Sequence, residues 1–168
     1  RQMHNLQNAE VDELLGKIWG RVRNTPADKA QLIEDYRRLV QEEQAPADPE
    51  LGRAVYAKTC QQCHILYGVG AKIGPELTGA NRGDLEYLLS NIVDPGAVIA
   101  KEYQTTVVVT VDGRVVTGIA TAEDDKSLTL RTATEEIVIP QDEIEERRLS
   151  ELSLMPDDQL KLFTPAEI

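Results

Sequence analysis

Cys60-Gln61-Gln62-Cys63-His64 is the stretch from which the rest of this chain is read. Its spacing, C-x-x-C-H, is the attachment signature of a c-type haem. Two thiols add to the two porphyrin vinyl groups as thioethers. The two-residue spacer sets both sulfurs on one side of a helical turn, and the next residue, His64, points its imidazole at the iron as proximal ligand. Cys60 and Cys63 are the only cysteines among 168 residues, so no other thiol competes. A thioredoxin-like redox pair would need a strand before the motif, whereas a helical pattern precedes it. A structural zinc site would need four N/S ligands at local spacing, and no second C-x-x-C exists. The remaining reading is two buried cysteines beside an unrelated histidine.

Composition bounds what can surround this motif. Apolar residues make up 41% of the chain, enough for a core, but there are only one Trp, one Phe and five Tyr. A haem would add the large flat apolar body that the aromatics do not supply. The net charge of −11 excludes a basic nucleic-acid face and suits a basic redox partner, although solubility alone also accounts for it. No apolar run reaches the length of about 18 residues that a membrane-spanning helix needs, and no signal peptide is recognisable. The sequence begins at Arg1 without a methionine, so an excised part of an exported parent protein is expected. Covalent haem attachment occurs outside the cytoplasm, and the expected location is periplasmic or otherwise exported.

Outward from the motif, the chain divides by periodicity. Val11, Leu14, Leu15, Ile18, Trp19 and Val22 follow helical spacing, and Leu32, Ile33, Tyr36, Leu39 and Val40 form a second stripe behind the start signal Thr25-Pro26. A helical hairpin over 9–42 is expected, within an N-terminal segment 1–45. It packs on the domain behind it or docks the upstream part of a larger chain. Met3 and His4 are possible iron ligands in principle, but they lie in a terminus prone to fraying. Asp48 as N-cap and Pro49 as first helical residue open the helix that leads to Cys60. Gly52 within it costs about 1 kcal/mol against alanine, a cost usually tied to the close approach of another backbone. The segment Gly68–Gly79 is rich in glycine, which lets backbone lie against a flat ligand; without a Walker lysine and serine it is not a phosphate cradle. Asp84 caps a further helix with Leu85, Leu88, Leu89 and Ile92 inward. Over about 103–140 the period changes to two. Asp112-Gly113 marks a hairpin, and Ser127–Thr132 and Glu136–Ile139 give a second strand pair with Leu128, Leu130, Ile137 and Ile139 inward. This β insertion carries no His, Cys or serine–base pair. It shields the haem edge, or its exposed strand edges pair with a partner or a second copy as a homodimer. Met155 is the one methionine besides Met3, in a loop before Pro156. It is either a gap-filling core residue or a soft sulfur ligand.

Several of these residues carry a family resemblance. Gly52 and Tyr56, four residues apart, resemble the pair that faces a crossing terminal helix in class I c-type cytochromes. Gly74-Pro75-Glu76-Leu77 resembles their proximal loop. Together with Ile73–Gly79, Asp94-Pro95-Gly96, Ala97–Ala100, Glu102-Tyr103-Gln104, Ile144–Arg148 and Ser153-Leu154-Met155-Pro156, the pattern resembles the haem-binding domain of planctomycete and verrucomicrobial proteins, over roughly 50–168. The hairpin resembles the segment preceding that module.

That resemblance implies a mainly α fold, class I cytochrome c-like, with a small antiparallel β subdomain, the cytochrome domain occupying 46–168. It implies that the Pro75 carbonyl accepts a hydrogen bond from His64 and fixes its tautomer, that Leu77 packs near the ring edge, and that Met155 supplies the distal sulfur. The haem-binding residues are then Cys60, Cys63, His64, Pro75, Leu77 and Met155, with His64 and Met155 on the iron. The expected function is one-electron transfer by a low-spin haem, to or from a redox protein or fused redox domain, and not enzymatic turnover. With the sixth position open, the alternative is a gas sensor or weak peroxidase, although no distal His or Arg is evident for the latter. The family continues into a terminal helix past Thr164-Pro165-Ala166-Glu167. Here the N-terminal hairpin or another copy is expected to cover Gly52.

Overall fold

The computed structural model describes residues 9–42 and 46–168; Met3 and His4 lie outside the described residues. Among these residues the chain forms four α-helices and seven strands. The helices are α1 (Ala9–Ile18), α2 (Ala27–Glu42), α3 (Pro49–Thr59) and α4 (Leu85–Val93). The strands are β1 (Gly20–Val22), β2 (Val98–Ala100), β3 (Thr105–Thr110), β4 (Val115–Glu123), β5 (Ser127–Arg131), β6 (Glu136–Pro140) and β7 (Ile144–Leu149). This corrects the expected mainly α, class I cytochrome c-like architecture: two antiparallel sheets, one of five strands, make the fold mixed α and β. The β-branched Val/Thr/Ile runs between 105 and 149 favour a pleated surface over a helix, and the helices around the motif are short.

The chain divides into two compact units. One comprises the described chain up to Arg23 together with Gly96–Leu154; the other comprises Asn24–Pro95 and Met155–Ile168. These divisions differ from the expected boundary at 45/46. They also put α1 and α2 in different units, with the strand β1 between them in the chain. Amphipathic spacing identifies a face that can be buried, but not the element that buries it.

In the first unit the large sheet has the order β6-β5-β4-β3-β7, antiparallel throughout. Val109 faces Val115 across the β3–β4 pair. Their turn is closed by Gly113 (φ 82), which donates to the Thr110 carbonyl at 2.7 Å, and by the Asp112 carboxylate, which accepts from the Thr110 hydroxyl and the Arg114 amide. Val108, Val116, Leu128, Leu130 and Ile139 form the core, with Ile137 and Ile144 packed against it. Each fully buried Leu or Ile there stabilises by about 1.5–3 kcal/mol. The sheet extends beyond the expected insertion because Ile144–Leu149 pairs with β3 from Thr106↔Leu149 to Thr110↔Ile144. A second, two-stranded sheet joins β1 to β2. Gly20 (φ 109) is required there, since a Cβ would collide with the Ile99 carbonyl.

In the second unit α2 packs on α4 through Ile33, Leu89 and Val93, with Leu32, Tyr36, Leu85 and Leu160 completing the cluster. Asp48 caps α3 by accepting from the Glu50 and Leu51 amides at 2.8 and 3.1 Å, with Pro49 at the first turn. Asp84 caps α4 through the Tyr87 amide at 3.0 Å. Gly52 is exposed, and a Cβ there would meet no described atom within 4 Å. No helix of the described residues is long and apolar enough to cross a membrane.

Candidate haem-attachment site

The C-x-x-C-H stretch begins where α3 ends. The chain tightens into a 3-10 turn at Cys60–Gln62, and the Cys60 carbonyl accepts from both the Cys63 amide (3.1 Å) and the His64 amide (2.9 Å). Both thiols are free and half-buried. Burial, with Cys60 close by, pushes the Cys63 thiol up. The Tyr56 hydroxyl reaches past the end of α3 and donates to the His64 carbonyl at 2.7 Å, which ties the helix to the residue that follows the cysteines.

The glycine-rich loop folds back onto this turn. Gln61 O accepts from Ala71 N (3.0 Å), Cys63 O from Ile73 N (3.0 Å) and Gly74 N (2.8 Å), and Ile65 O from Leu77 N (2.8 Å). Two glycines make the approach possible. Gly70 has φ 123, and a Cβ there would collide with the His64 carbonyl. At Gly74 a Cβ would lie 2.5–3.0 Å from the imidazole atoms of His64. The ring is therefore flanked by bare backbone, and its Nδ1 sits 2.7 Å from the carbonyl oxygen of Pro75. A carbonyl can only accept, so Nδ1 carries the proton and Nε2 presents its lone pair.

The structure thus assembles Cys60, Cys63, His64, Pro75 and half-buried Leu77 into one laced segment. Met155 belongs to the same compact unit, half-buried in the loop that follows Leu154. Sequence reading missed Arg82, which fastens the far end of the loop. Its Nε donates to the Leu77 carbonyl (2.8 Å), its Nη2 to the Thr78 carbonyl (3.1 Å) and the Tyr67 hydroxyl (3.0 Å), and its guanidinium lies 5.1 Å from the Tyr67 ring centre. Thr78 in turn accepts from the Tyr67 amide. No periodicity marks an arginine that works through loop carbonyls.

Two properties of the segment bear on what it can hold. From 46 to 88 no residue is buried, although Leu51, Val55, Tyr56, Ile65, Leu66, Ile73 and Leu77 are apolar and fixed in place. Among the described residues no three His, Cys, Asp or Glu side chains converge to hold a metal ion. No protein-family model matches the chain, and no characterised protein matches it. The family resemblance rests on the motifs themselves.

Proposed function

We propose that this chain is an electron-transfer module carrying one covalently attached haem c. The observation that carries the reading is the His64 Nδ1–Pro75 carbonyl bond of 2.7 Å beside two free thiols in one tight turn. It fixes the tautomer that an axial imidazole requires and orients the ring, as the partners of metal-bound histidines do. The residues fit the group. Cys60 and Cys63 would hold the porphyrin through thioethers to its vinyl groups, and His64 Nε2 and the Met155 sulfur would hold its iron. The haem, when bound, exchanges one electron through its iron. The rest is done by this chain. Gly70 and Gly74 allow the backbone to close on the imidazole, Tyr56 and Arg82 hold that backbone, and the apolar side chains of 46–88 exclude water from the ring. An iron held by a thioether and an imidazole would favour the reduced state more than one held by two imidazoles.

Covalent haem attachment would go with a location outside the cytoplasm. The charge of −11 favours a redox partner, separate or fused, with a basic docking face. The roles given to Met155 and Pro75 are those that the family resemblance implies. The test is an absorption spectrum of protein produced with a c-type haem attachment system, ferric, then reduced, then exposed to carbon monoxide. The expected result is a low-spin spectrum with the weak far-red sulfur-to-iron band, unaffected by carbon monoxide. A high-spin spectrum that shifts with carbon monoxide means an open sixth position and a gas-sensing or peroxidatic role. Absence of covalent haem from such material rejects the reading.

A further inference from the structure

Lys29 on α2 makes two ion pairs within its compact unit. Its Nζ lies 3.0 Å from Asp94 Oδ1 and 2.7 Å from Asp157 Oδ2. The Asp94 side chain is 0% exposed, that of Lys29 19% and that of Asp157 49%. Asp94 terminates α4, its amide donating to the Ser90 carbonyl at 3.2 Å. A buried carboxylate needs a compensating charge, and this requirement accounts for Lys29 facing Asp94. It does not account for the second and shorter bond. Asp157 belongs to the loop that re-enters the unit at Met155, two residues earlier in the chain. One residue further, Asp158 adopts a left-handed backbone (φ 65) and starts the turn Gln159–Leu162, whose Leu160 packs on the Ile33–Leu89–Val93 cluster. Apolar packing at Leu160 and, nearer Met155, the ion pair at Asp157 thus both fasten the Met155 loop.

We propose that Lys29 is a positioning residue, which braces on buried Asp94 and latches Asp157 so that the loop presents the Met155 sulfur in one place. This rests on the reading of Met155 as the sixth iron ligand. Burial pulls the Lys29 ammonium down, but its bonds to Asp157 and Asp94 outweigh that and hold it above its ordinary value. The latch acts on how often the sulfur leaves the metal, which is a different property from whether the unit folds.

The test uses the full haem-loaded chain and the variant Asp157→Asn, which keeps the buried Lys29–Asp94 pair and hence the fold. Carbon monoxide uptake by the ferrous protein is expected to quicken about fivefold, the loss of one half-exposed ion pair. The far-red sulfur-to-iron band should weaken. Amide hydrogen exchange should accelerate over 155–163 and not over 27–42 or 85–93, and Asp157→Glu should restore the band. A wild-type protein with the band and an Asp157→Asn variant with identical uptake and band overturns the latch alone. Uptake that rises only in step with a lowered thermal midpoint reduces the pair to a general structural role and overturns it too. A wild-type protein that lacks the band and binds carbon monoxide readily rejects Met155 as ligand, and the latch falls with it.

Discussion

His64 and Pro75 meet through a single contact, imidazole Nδ1 to carbonyl oxygen at 2.7 Å, and Gly74 stands against the same ring from the neighbouring backbone position. A carbonyl cannot be removed by substitution, but the glycine beside it can be filled. In Gly74→Ala the new methyl lies 2.5 Å from Cε1 and 2.9 Å from Nδ1, so either the ring tilts or the loop lifts off Cys63. Overpacking of this kind costs about 1–3 kcal/mol. The expected outcome is retained thioether attachment with a lowered thermal midpoint and a displaced reduction potential, measured by calorimetry and redox titration. An unchanged potential would show that the ring is not held by this wall.

Tyr56 separates stability from ligand tuning. Its hydroxyl donates to the backbone carbonyl of His64 and not to the ring, and burial, with Cys60 nearby, holds its phenol above the ordinary value. Tyr56→Phe should therefore cost about 1 kcal/mol of stability while the reduction potential stays near the wild-type value. Chemical denaturation and a redox titration on the same preparation check both halves.

The sequence makes some of this architecture legible and hides the rest for physical reasons. The 3-10 turn carrying Cys60, Cys63 and His64 lies where the C-x-x-C-H spacing marks it, and Asp48 and Asp84 are legible because a cap acts within one turn. Asp112-Gly113 identifies its hairpin because the turn needs a positive φ at Gly113. Strand β7 is missed because Ile144-Glu145-Glu146-Arg147-Arg148-Leu149 is an edge strand, exposed from Glu145 to Leu149; without a buried face it shows no alternation. The strands of the small sheet have only three residues each, too few for a period. The mainly α expectation follows from the same omission: with β7, β1 and β2 unseen, the helices around the motif dominate the reading. Val11–Val22 reads as one helical stripe, yet the helix stops at Ile18 and Gly20 turns the chain into a strand.

Met155→Ala tests the sixth ligand directly. Removal of a soft thioether lowers the preference for ferrous iron, so the potential should fall, the far-red band should vanish and carbon monoxide should bind. Attachment through Cys60 and Cys63 should be unaffected, which mass spectrometry of the denatured protein establishes. If spectrum and potential stay as in the wild type, another side chain occupies the sixth position.

Acid should act on the sheet unit through its turns. The Asp112 carboxyl is held below its ordinary value by the Thr110 hydroxyl first and the Arg114 amide second. The Asp124 carboxyl is held down by the amides of Lys126 and Ser127, at 2.9 and 2.7 Å. Glu123 is held down by Arg147, whose Nη1 lies 2.6 Å away. A carboxylate whose value is depressed on folding binds protons more readily when unfolded, so its contribution is complete above the unfolded value and is lost as pH falls through the folded one. For the two aspartates the ordinary value is 3.8. The thermal midpoint of the sheet should therefore hold level with respect to these groups above that region and decline below it. Asp124→Asn keeps an acceptor oxygen for the two amides but removes the charge. The variant should start lower at neutral pH and show a shallower acid decline, converging with the wild type at low pH. Parallel curves for the two proteins would mean that the Asp124 turn does not carry the acid dependence.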